Sequence, residues 1–463
     1  MTLIKSISGI RGTIGGEPNK GLTPVDIVRF TSAYGVWLKR QSGDKRLRVV
    51  VGRDARISGE MVKNLVIGSL QGVGIDVIHL GFATTPTTEL AVIRESADGG
   101  LILTASHNPK QWNALKMLNA KGEFLLAADG EQVLSIAAKE DFDYADVDNL
   151  GHVTELPDFV ETHIKDVLSL KLVDVEAIRK ANFKVAIDCV NSVGGIAIPR
   201  LLKALGVTNV LELYCDPSGV FPHNPEPLPE HLGDISELIR REKADIGFVV
   251  DPDVDRLAIV NEDGSMFGEE YTLVAVADYI LSETCGNTVS NLSSTRALRD
   301  VTAKHGGEYF AAAVGEVNVV EKMKAVNAVI GGEGNGGIIY PASHCGRDAL
   351  VGIALFLTLL AKKGKTCSEL RREYPSYFMS KNKIELTADI DVDEILQKMK
   401  ICYQTEFVTD IDGVKIDFER SWVHLRKSNT EPIIRIYSEA ESREAADRLA
   451  LDVIDKIRAM IGA

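Results

Sequence analysis

The sequence contains few cysteines, no excess of basic residues and no long apolar run. Its six cysteines are scattered over 463 residues without a Cys-x-x-Cys pair, which indicates reduced thiols rather than a disulfide framework or a zinc site. The formal net charge of −14 excludes the broad basic surface that nucleic acids and anionic membranes require. No apolar run reaches the roughly 18 residues of a membrane-spanning helix, and the N-terminus lacks the apolar core of a signal peptide. We therefore expect a cytoplasmic protein that binds neither nucleic acids nor membranes.

The chain is too long for one hydrophobic core, and its patterns predict four domains. Up to about residue 350, a pattern of strand, loop, helix and strand occurs three times, which predicts three similar α/β domains with mixed, mostly parallel sheets. In the tail, β-rich runs, an Asp412-Gly413 turn and a long closing helix predict an α+β domain. The tail strands are expected at 383–386, 414–418 and 433–437, and the helix at 442–460. The predicted domains are 1–152, 153–257, 258–372 and 373–463.

A serine follows one of the apolar strands in the first domain. Ser106 lies in Thr-Ala-Ser-His-Asn-Pro, directly after the predicted strand 101–103, and the carboxyl ends of strands are where open α/β sheets bind ligands. A serine at such a place can act as a nucleophile or carry a phosphoryl group, although a helix N-cap would use the same residue type. A lipase-type nucleophile elbow is excluded, because neither glycine of Gly-x-Ser-x-Gly is present.

Three carboxylates follow an apolar strand in the second domain. Asp251, Asp253 and Asp255 alternate after the predicted strand 246–250. We expect an extended loop that points them to one side as an oxygen cage for a hard cation, with Arg256 as a forked donor for phosphate. An EF-hand is disfavoured because its sixth position requires glycine, where this segment has Arg256. A phosphatase of the haloacid-dehalogenase type also has Asp-x-Asp after an apolar strand, but small or hydroxylic residues usually follow it. A carboxylate run that binds no metal would show the same pattern.

Two more polar loops complete the set. The glycine-rich segment 331–337, expected after a strand at 328–330, offers Glu333 and Asn335 to sugar hydroxyls, although a flexible hairpin would have the same composition. In the tail, cations, hydroxyls and an amide in one turn form a candidate phosphate cradle, for which an ordinary polar turn is the alternative. The cradle residues are Arg426, Ser428, Asn429, Thr430 and Arg435.

These segments, taken in order, resemble the signature segments of the α-D-phosphohexomutases. Residues 104–109 are similar to the family's phosphoserine loop, 251–256 to its metal loop and 426–432 to its phosphate-binding loop. Residues 8–12 and 52–56 are similar to two smaller family segments. The resemblance extends over the whole chain and implies that the domains surround a central active-site cleft.

The glycine-rich segment resembles the family's sugar-specificity loop with one departure. The usual form of that loop is Gly-Glu-x-Ser-Gly-His. Here Asn335 stands for the serine and Gly337 for the histidine. An acid–base role assigned to that histidine therefore does not carry over to this chain, and His107, His344 or water is left to fill it.

The resemblance implies that the enzyme moves phosphate between the 1- and 6-positions of a hexose. It implies that Ser106 carries a phosphoryl group and that one Mg²⁺ per chain is bound by Ser106 and the three aspartates. A hexose 1,6-bisphosphate is implied as the intermediate and as an activator. The implied partner is a small sugar phosphate, and the chain is expected to be a monomer or a homodimer.

The resemblance also implies roles for basic residues near Ser106. Lys116 stands where the family has a general base, and its apolar neighbours are expected to lower its pKa. His107 is the alternative base or phosphate donor. Arg11 resembles the arginine that faces the phosphate, and Arg256 is expected to assist it.

The choice of hexose rests on small matches. The Thr-Ala-Ser sequence and Glu431-Pro432 resemble the phosphoglucosamine mutase branch, which we take as the first choice, whereas Asn335 does not. A phosphoglucomutase/phosphomannomutase is the alternative, and a metal-dependent phosphosugar phosphatase is a remote one. A non-catalytic phosphosugar sensor is disfavoured because Ser106 and all three aspartates are present.

Overall fold

The computed structural model describes residues 1–6, 9–43, 45–385, 390–427 and 433–461. The chain divides into two compact units, of which unit 1 comprises Met1–Thr272 and Asn335–Leu370, and unit 2 comprises Leu273–Gly334 and Arg371–Ala463. All six cysteines are free thiols. Among the described residues, no helix combines the length and the apolar character needed to cross a membrane.

Strands and helices alternate through most of the chain. The strands are β1 (Leu3–Ser6), β2 (Gly9–Thr13), β3 (Arg48–Arg53), β4 (Asp76–Phe82), β5 (Gly99–Leu103), β6 (Trp112–Leu118), β7 (Val153–Glu155), β8 (Lys184–Asp188), β9 (Asn209–Leu213), β10 (Ile246–Val250), β11 (Leu257–Asn261), β12 (Asn287–Asn291), β13 (Tyr309–Ala312), β14 (Ala328–Glu333), β15 (Gly337–Ile339), β16 (Phe378–Glu385), β17 (Phe407–Thr409), β18 (Val414–Asp417), β19 (Trp422–Lys427) and β20 (Ile433–Ala440). The helices are α1 (Pro24–Ser42), α2 (Gly59–Gly72), α3 (Thr85–Arg94), α4 (Ala127–Lys139), α5 (Val160–Ser169), α6 (Val175–Ala181), α7 (Gly194–Ala204), α8 (Gly233–Glu242), α9 (Glu269–Glu283), α10 (Ala297–Lys304), α11 (Glu316–Ala325), α12 (Ala349–Lys363), α13 (Cys367–Arg371), α14 (Val392–Cys402) and α15 (Arg443–Ile461).

The first sheet of unit 1 has the strand order β1-β2-β6-β5-β3-β4-β7. Strands β5, β3, β4 and β7 run parallel to one another, whereas β1, β2 and β6 pair antiparallel. Every residue of β5 is buried, as is typical of a parallel strand covered on both faces. Because β3 and β5 are parallel neighbours, the residues that follow them, 54–56 and 104–109, leave the same edge of the sheet.

The second sheet of unit 1 has the order β11-β10-β8-β9, with β10, β8 and β9 parallel. The aspartate segment follows β10, and two hydroxyls hold its backbone and side chains next to the first sheet. Ser192 Oγ donates to Pro252 O over 2.7 Å and accepts from Ala55 N. Thr85 Oγ1 donates to Asp253 Oδ2 over 2.6 Å. These contacts bring the loops of the two sheets together.

Unit 2 contains the parallel strands β13, β12 and β14 and an antiparallel tail sheet with the order β16-β20-β19-β18-β17. Helix α15 packs on the tail sheet through apolar residues at helical spacing, including Ala446, Ala450, Val453 and Ile457. Gly413 adopts a φ of +73° before β18, so the predicted Asp-Gly hairpin turn is confirmed. The mixed, mostly parallel sheets and the α+β tail are confirmed as well.

One loop begins later than the sequence predicts. The predicted strand 328–330 continues as β14 through Glu333, so that Gly331 and Gly332 are strand residues. They extend the parallel ladder opposite Val289 and Ser290 of β12. A Cβ on Gly331 would lie 2.4 Å from Met323 Sδ, so the glycine is there to allow close packing rather than a turn.

A cluster of buried ionisable side chains joins α3, α5 and the start of α12 in unit 1. Asp348 Oδ2 lies 2.8 Å from His163 Nε2 and 3.1 Å from His344 Nε2. His344 Nδ1 lies 3.3 Å from a carboxylate oxygen of Glu89. Burial alone would lower the pKa of His344, but Asp348 and Glu89 outweigh it and raise that pKa to about 10. The histidine is therefore charged at neutral pH, with Nε2 hydrogen-bonded to Asp348 and Nδ1 in an ion pair with Glu89.

Replacing His344 should change how stability depends on pH. A pKa raised by folding adds stability that is complete below the unfolded value of about 6.5 and is lost as the pH rises towards 10. His344→Gln should therefore be destabilised at pH 7, on the order of 3 kcal/mol for a broken buried pair, and its difference from the parent chain should shrink towards pH 10. Thermal unfolding at both pH values measures this, with the exposed His152→Gln as control. A difference that stays constant between the two pH values would contradict it.

Candidate active site

Ser106 lies at the carboxyl end of β5 in a strained and well-held turn. Its backbone has a φ of +48°, which is uncommon outside glycine, and its N–H donates to Thr104 Oγ1 over 2.9 Å. Its Oγ donates to Asp251 Oδ2 over 2.7 Å. Turn residues and β6 follow it rather than a helix, so the N-cap interpretation of this serine is wrong.

Arg56 holds the serine loop in place through hydrogen bonds from its guanidinium group. Its guanidinium pairs with the buried carboxylate of Asp54, with Nε and Oδ2 3.0 Å apart, and Asp54 also accepts from Thr104 Oγ1 over 2.6 Å. The guanidinium also donates to main-chain carbonyl oxygens of Ser106, Asn108, Pro109 and Trp112. No role was predicted for Arg56 from the sequence, although the segment 52–56 resembles a family segment. The sequence signal for this role was the Asp54-x-Arg56 pattern directly after β3, the strand next to β5.

The aspartate segment is a tight turn rather than the extended loop that alternation of the residues suggested. Val254 adopts a φ of +63°, and its N–H donates to Asp251 O over 3.1 Å. The carboxylates converge because the turn folds back: Asp251 Oδ1 accepts from the N–H groups of Asp255 and Arg256, each over 3.2 Å. All three aspartates are fully buried, and one carboxylate oxygen from each lies within 4.8 Å of the other two.

Two cations pair with carboxylate oxygens of this cluster. Lys116 Nζ lies 2.7 Å from Asp253 Oδ2 and 3.7 Å from Asp255 Oδ2. Arg347 Nη2 lies 2.6 Å from Asp255 Oδ2. Within the described residues, the Oδ1 atoms of Asp253 and Asp255 are buried and have no hydrogen-bond partner. Buried carboxylate oxygens of this kind fit a hard divalent cation.

Burial, neighbouring carboxylates and Lys116 together shift the pKa values of Asp251 and Asp253 in opposite directions. Burial, together with Asp253 and Asp255, holds the pKa of Asp251 well above its usual value. Burial would raise the pKa of Asp253 too, but Lys116 outweighs it and the pKa is lowered. For Lys116 the sequence-based expectation is wrong: burial favours a lower pKa, but Asp253 and Asp255 outweigh it and raise the pKa. The lysine is therefore protonated in this arrangement.

Of three further residues in the predicted set, His107 and Arg256 lie next to Ser106 and Asp255, and Arg11 lies on the neighbouring strand β2. His107 Nδ1 lies 3.4 Å from Ser106 Oγ, and burial, together with the positive charge of Arg256, lowers its pKa to about 2. Arg256 Nη1 lies 3.7 Å from Glu226 Oε1. Arg11 is an exposed residue of β2 opposite Ala114 of β6. Arg11 shares a face of the sheet with Ala114, its partner across the strands. Lys116 is two residues from Ala114 on β6, so Arg11 and Lys116 lie on the same face.

The predicted sugar-binding residues belong to different units. In unit 2, the buried Glu333 accepts from Asn291 Nδ2 over 2.8 Å and from Gly315 N over 3.2 Å. In unit 1, Asn335 Oδ1 accepts from Gly337 N over 3.2 Å. The carboxylate of Glu333 is therefore fixed by neighbouring donors, and Asn335 stabilises the turn before β15.

The predicted phosphate cradle is described only at its two ends. Arg426 of β19 and Arg435 of β20 are directly opposite each other, and Arg426 Nε lies 2.9 Å from Asp412 Oδ2. Like charges in direct register are destabilising unless something compensates them, and the Asp412 carboxylate compensates Arg426 here. Ser428, Asn429 and Thr430, the remaining predicted cradle residues, lie outside the described residues.

This geometry can be compared with known proteins. Four family descriptions match consecutive parts of the chain: phosphoglucomutase/phosphomannomutase α/β/α domain I at 3–144, domain II at 161–264, domain III at 268–377 and the C-terminal domain at 381–456. Together these matches account for most of the chain.

Individual relatives agree with these matches. A phosphoglucomutase/phosphomannomutase of Thermococcus kodakarensis is 37% identical over 94% of this chain and 95% of its own. A phosphoglucosamine/phosphogalactosamine mutase of Sulfurisphaera tokodaii is 32% identical over 95% of this chain and 96% of its own. The crystal structure of a phosphoglucomutase/phosphomannomutase family protein of Burkholderia thailandensis covers 98% of this chain and 96% of its own, with a TM-score of 0.84 and 26% identity. The chain therefore belongs to the phosphoglucomutase/phosphomannomutase family and is a phosphohexomutase, an isomerase that transfers a phosphoryl group.

Proposed function

We propose that the chain interconverts hexose 6-phosphate and hexose 1-phosphate through a phosphoserine at Ser106. The observation that carries this proposal is the hydrogen bond of 2.7 Å from Ser106 Oγ to Asp251 Oδ2, inside a buried group of three carboxylates. A serine oxygen in this environment can receive and return a phosphoryl group, whose negative charge is neutralised by cations at the site. In the first half of the cycle the phosphoryl group moves to the sugar, and a hexose 1,6-bisphosphate forms. In the second half Ser106 takes back the other phosphate.

We propose that one Mg²⁺ per chain is bound by Ser106 and by Asp251, Asp253 and Asp255. Hard oxygen ligands suit Mg²⁺, and the buried Oδ1 atoms of Asp253 and Asp255 without a hydrogen-bond partner in the described part of the chain support this ligand set. When bound, the cation supplies Lewis-acid stabilisation of the transferring group. The family itself, rather than any residue contact, suggests that a hexose 1,6-bisphosphate also activates the enzyme.

The basic residues around Ser106 suit charge neutralisation and proton transfer. Arg256 and Arg11 would bind the oxygens of the transferring phosphate. Lys116 would exchange a proton with the substrate hydroxyl. Because its pairing with Asp253 keeps the amine protonated at rest, the amine must give up a proton before it can act as a base. The uncharged ring of His107, 3.4 Å from Ser106 Oγ, is the alternative acceptor.

The non-reacting end of the substrate would be bound by the residues assigned to the sugar and cradle segments. Glu333 and Asn335 would accept hydrogen bonds from sugar hydroxyls. The opposed pair Arg426 and Arg435 supports a phosphate site, which Ser428, Asn429 and Thr430 would complete. Remote binding of this kind positions the reacting hydroxyl.

We propose glucosamine phosphate as the preferred substrate. The Thr-Ala-Ser sequence and Glu431-Pro432 support this choice, as does the name of the relative from Sulfurisphaera tokodaii. Glucose and mannose phosphates are the second candidates, favoured by the name of the relative from Thermococcus kodakarensis, which is 37% identical. A cytoplasmic location, a monomeric or dimeric state and the domain bounds 1–152, 153–257, 258–372 and 373–463 are part of the same proposal.

Part of the purified protein should carry a phosphate on Ser106. Intact-mass spectrometry should show one added phosphate, mapped to this serine, that is stable to acid and labile to base. Ser106→Ala should lack the modification and the mutase activity. A hydroxylamine-labile acyl phosphate on Asp251 or Asp253 would contradict the proposal and support a phosphatase-type mechanism instead.

The substrate assignment predicts a ranking in coupled assays. Glucosamine 6-phosphate should exceed glucose 6-phosphate and mannose 6-phosphate in kcat/KM by at least about tenfold, the discrimination that one substituent contact can supply. Ser106→Ala serves as the blank for all three sugars. A higher kcat/KM for glucose or mannose phosphate would move the chain to the phosphoglucomutase/phosphomannomutase group.

Removing Arg426 should weaken both binding and turnover. A charge-assisted contact contributes about 1.5–3 kcal/mol, so Arg426→Ala should lose roughly ten- to a hundredfold in kcat/KM. It should also release more free hexose 1,6-bisphosphate per turnover, because the intermediate is held less firmly. Lys427→Ala, which changes the exposed neighbour on the same strand, is the matched control. Unchanged kinetics and unchanged release in Arg426→Ala would place the tail outside the active site.

A further inference from the structure

We propose that Arg347 is a positioning residue for the metal site and that it occupies the space which Gly337 leaves open. In this chain the two residues form a matched pair: the glycine admits the arginine side chain, and the arginine holds Asp255. The inference rests on the proposed metal-binding function of the three aspartates.

The fit between Gly337 and Arg347 is close. A Cβ on Gly337 would lie 2.3 Å from Arg347 Cδ, where the atoms overlap, and 3.1 Å from Arg347 Cγ, which is a tight contact. The backbone fixes this approach, because Arg347 forms an antiparallel bridge with Ile339 and the next N–H, of Asp348, donates to Ile338 O over 2.9 Å. Any side chain at 337 would therefore displace Arg347. The family's histidine cannot be accommodated here while Arg347 keeps this conformation.

The other end of Arg347 determines where Asp255 points. Its Nη2 lies 2.6 Å from Asp255 Oδ2, and both side chains are almost fully buried. The second oxygen of Asp255, Oδ1, is buried and has no hydrogen-bond partner in the described part of the chain. With Oδ2 held by Arg347, Oδ1 is the oxygen of Asp255 that keeps no hydrogen bond among the described residues, and Arg256 Nε lies 4.0 Å from it. Lys116 does the same for Asp253, since its Nζ lies 2.7 Å from Oδ2 while Oδ1 has no partner there.

Loss of the guanidinium offers Asp255 an alternative partner. Lys116 Nζ is only 3.7 Å from Asp255 Oδ2, and a buried carboxylate left unpaired is costly. Asp255 would therefore turn towards the lysine and withdraw Oδ1 from the cluster. Partners outside the ligand set that fix a ligand's orientation typically contribute 10–100-fold to metal affinity.

Arg347 is not a substitute for the histidine in proton transfer. A guanidinium stays charged at all ordinary pH values, whereas an acid–base group must change its protonation state. Its planar fork also holds a carboxylate in a fixed orientation better than an ammonium group does. The substitution at 337 thus replaces an ionisable ring by a fixed cation that orients a metal ligand.

Removing Arg347 lowers the metal affinity if the residue positions Asp255, but not if the residue only contributes positive charge. A measurement of metal affinity therefore separates the two roles. Mn²⁺ affinity is measured by electron paramagnetic resonance on purified chains whose phosphate content is matched by intact mass. If Arg347 positions Asp255, Arg347→Met, which retains most of the aliphatic arm, should bind Mn²⁺ about 10–100-fold more weakly. If Arg347 only contributes positive charge, its removal should leave the affinity unchanged or raise it, and the proposal falls.

The pairing with Gly337 is tested by combining variants. Gly337→Ala should weaken Mn²⁺ binding in the parent chain, because its Cβ displaces Arg347, but should cost nothing further in an Arg347→Ala background. Gly68→Ala, at a glycine with open space around it, is the control, and Arg347→Lys supplies a second variant if Arg347→Met fails to fold. Additive losses would overturn the pairing.

Two outcomes separate this inference from the proposed metal site. If the parent chain does not bind Mn²⁺ at all, both the metal site and the inference are wrong. Equal binding of Mn²⁺ by the parent chain and by Arg347→Met overturns the inference alone.

Discussion

Three carboxylates buried within 4.8 Å of one another are the constraint on which the described site depends. Left to themselves they repel, and burial removes the water that would screen them. The neighbouring residues reduce this repulsion by pairing with the carboxylate oxygens. Lys116 and Arg347 pair with Oδ2 of Asp253 and of Asp255, Thr85 donates a hydrogen bond to the first of these oxygens, and Ser106 donates to the third carboxylate. The Oδ1 atoms of Asp253 and Asp255 keep no hydrogen-bond partner in the described part of the chain, and they are among the ligands that we assign to the cation. The site is therefore ordered before substrate arrives, as catalysis by fixed charges requires.

The same region contains backbone strain. Ser106 and Val254 both have positive φ, which is costly for a residue with a side chain and especially for a β-branched one. Each is held by several partners: the four carbonyl bonds from Arg56 stabilise the serine turn, and the N–H groups bonded to Asp251 Oδ1 stabilise the aspartate turn. These hydrogen bonds keep the proposed nucleophile and the proposed metal ligands in a strained conformation that the local sequence alone would not adopt.

The sequence predicted what depends on local pattern. Apolar runs located β5 and β10, and the loops after them carry the candidate residues, because parallel strands end at one edge of a sheet. It could not predict contacts between distant residues, such as Arg56 with Ser106 O or Arg347 with Asp255 Oδ2. For the same reason the expected pKa of Lys116 was wrong: its apolar neighbours in sequence are visible, but the two aspartates that raise its pKa are 137 and 139 residues away. Gly331 was assigned to a loop because its close packing against Met323 leaves no local sign in the sequence.

The central claim is that Ser106 and the three aspartates form a single oxygen cage for one divalent cation. Anomalous diffraction from crystals soaked with Mn²⁺ tests it most directly, because Mn²⁺ takes the same kinds of oxygen ligand and scatters X-rays distinctly. The account predicts one strong peak per chain, about 2.0–2.3 Å from an oxygen of Ser106 or its phosphate and from one oxygen each of Asp251, Asp253 and Asp255. A saturating soak with no peak at this position, or a peak bound by other residues, would contradict it.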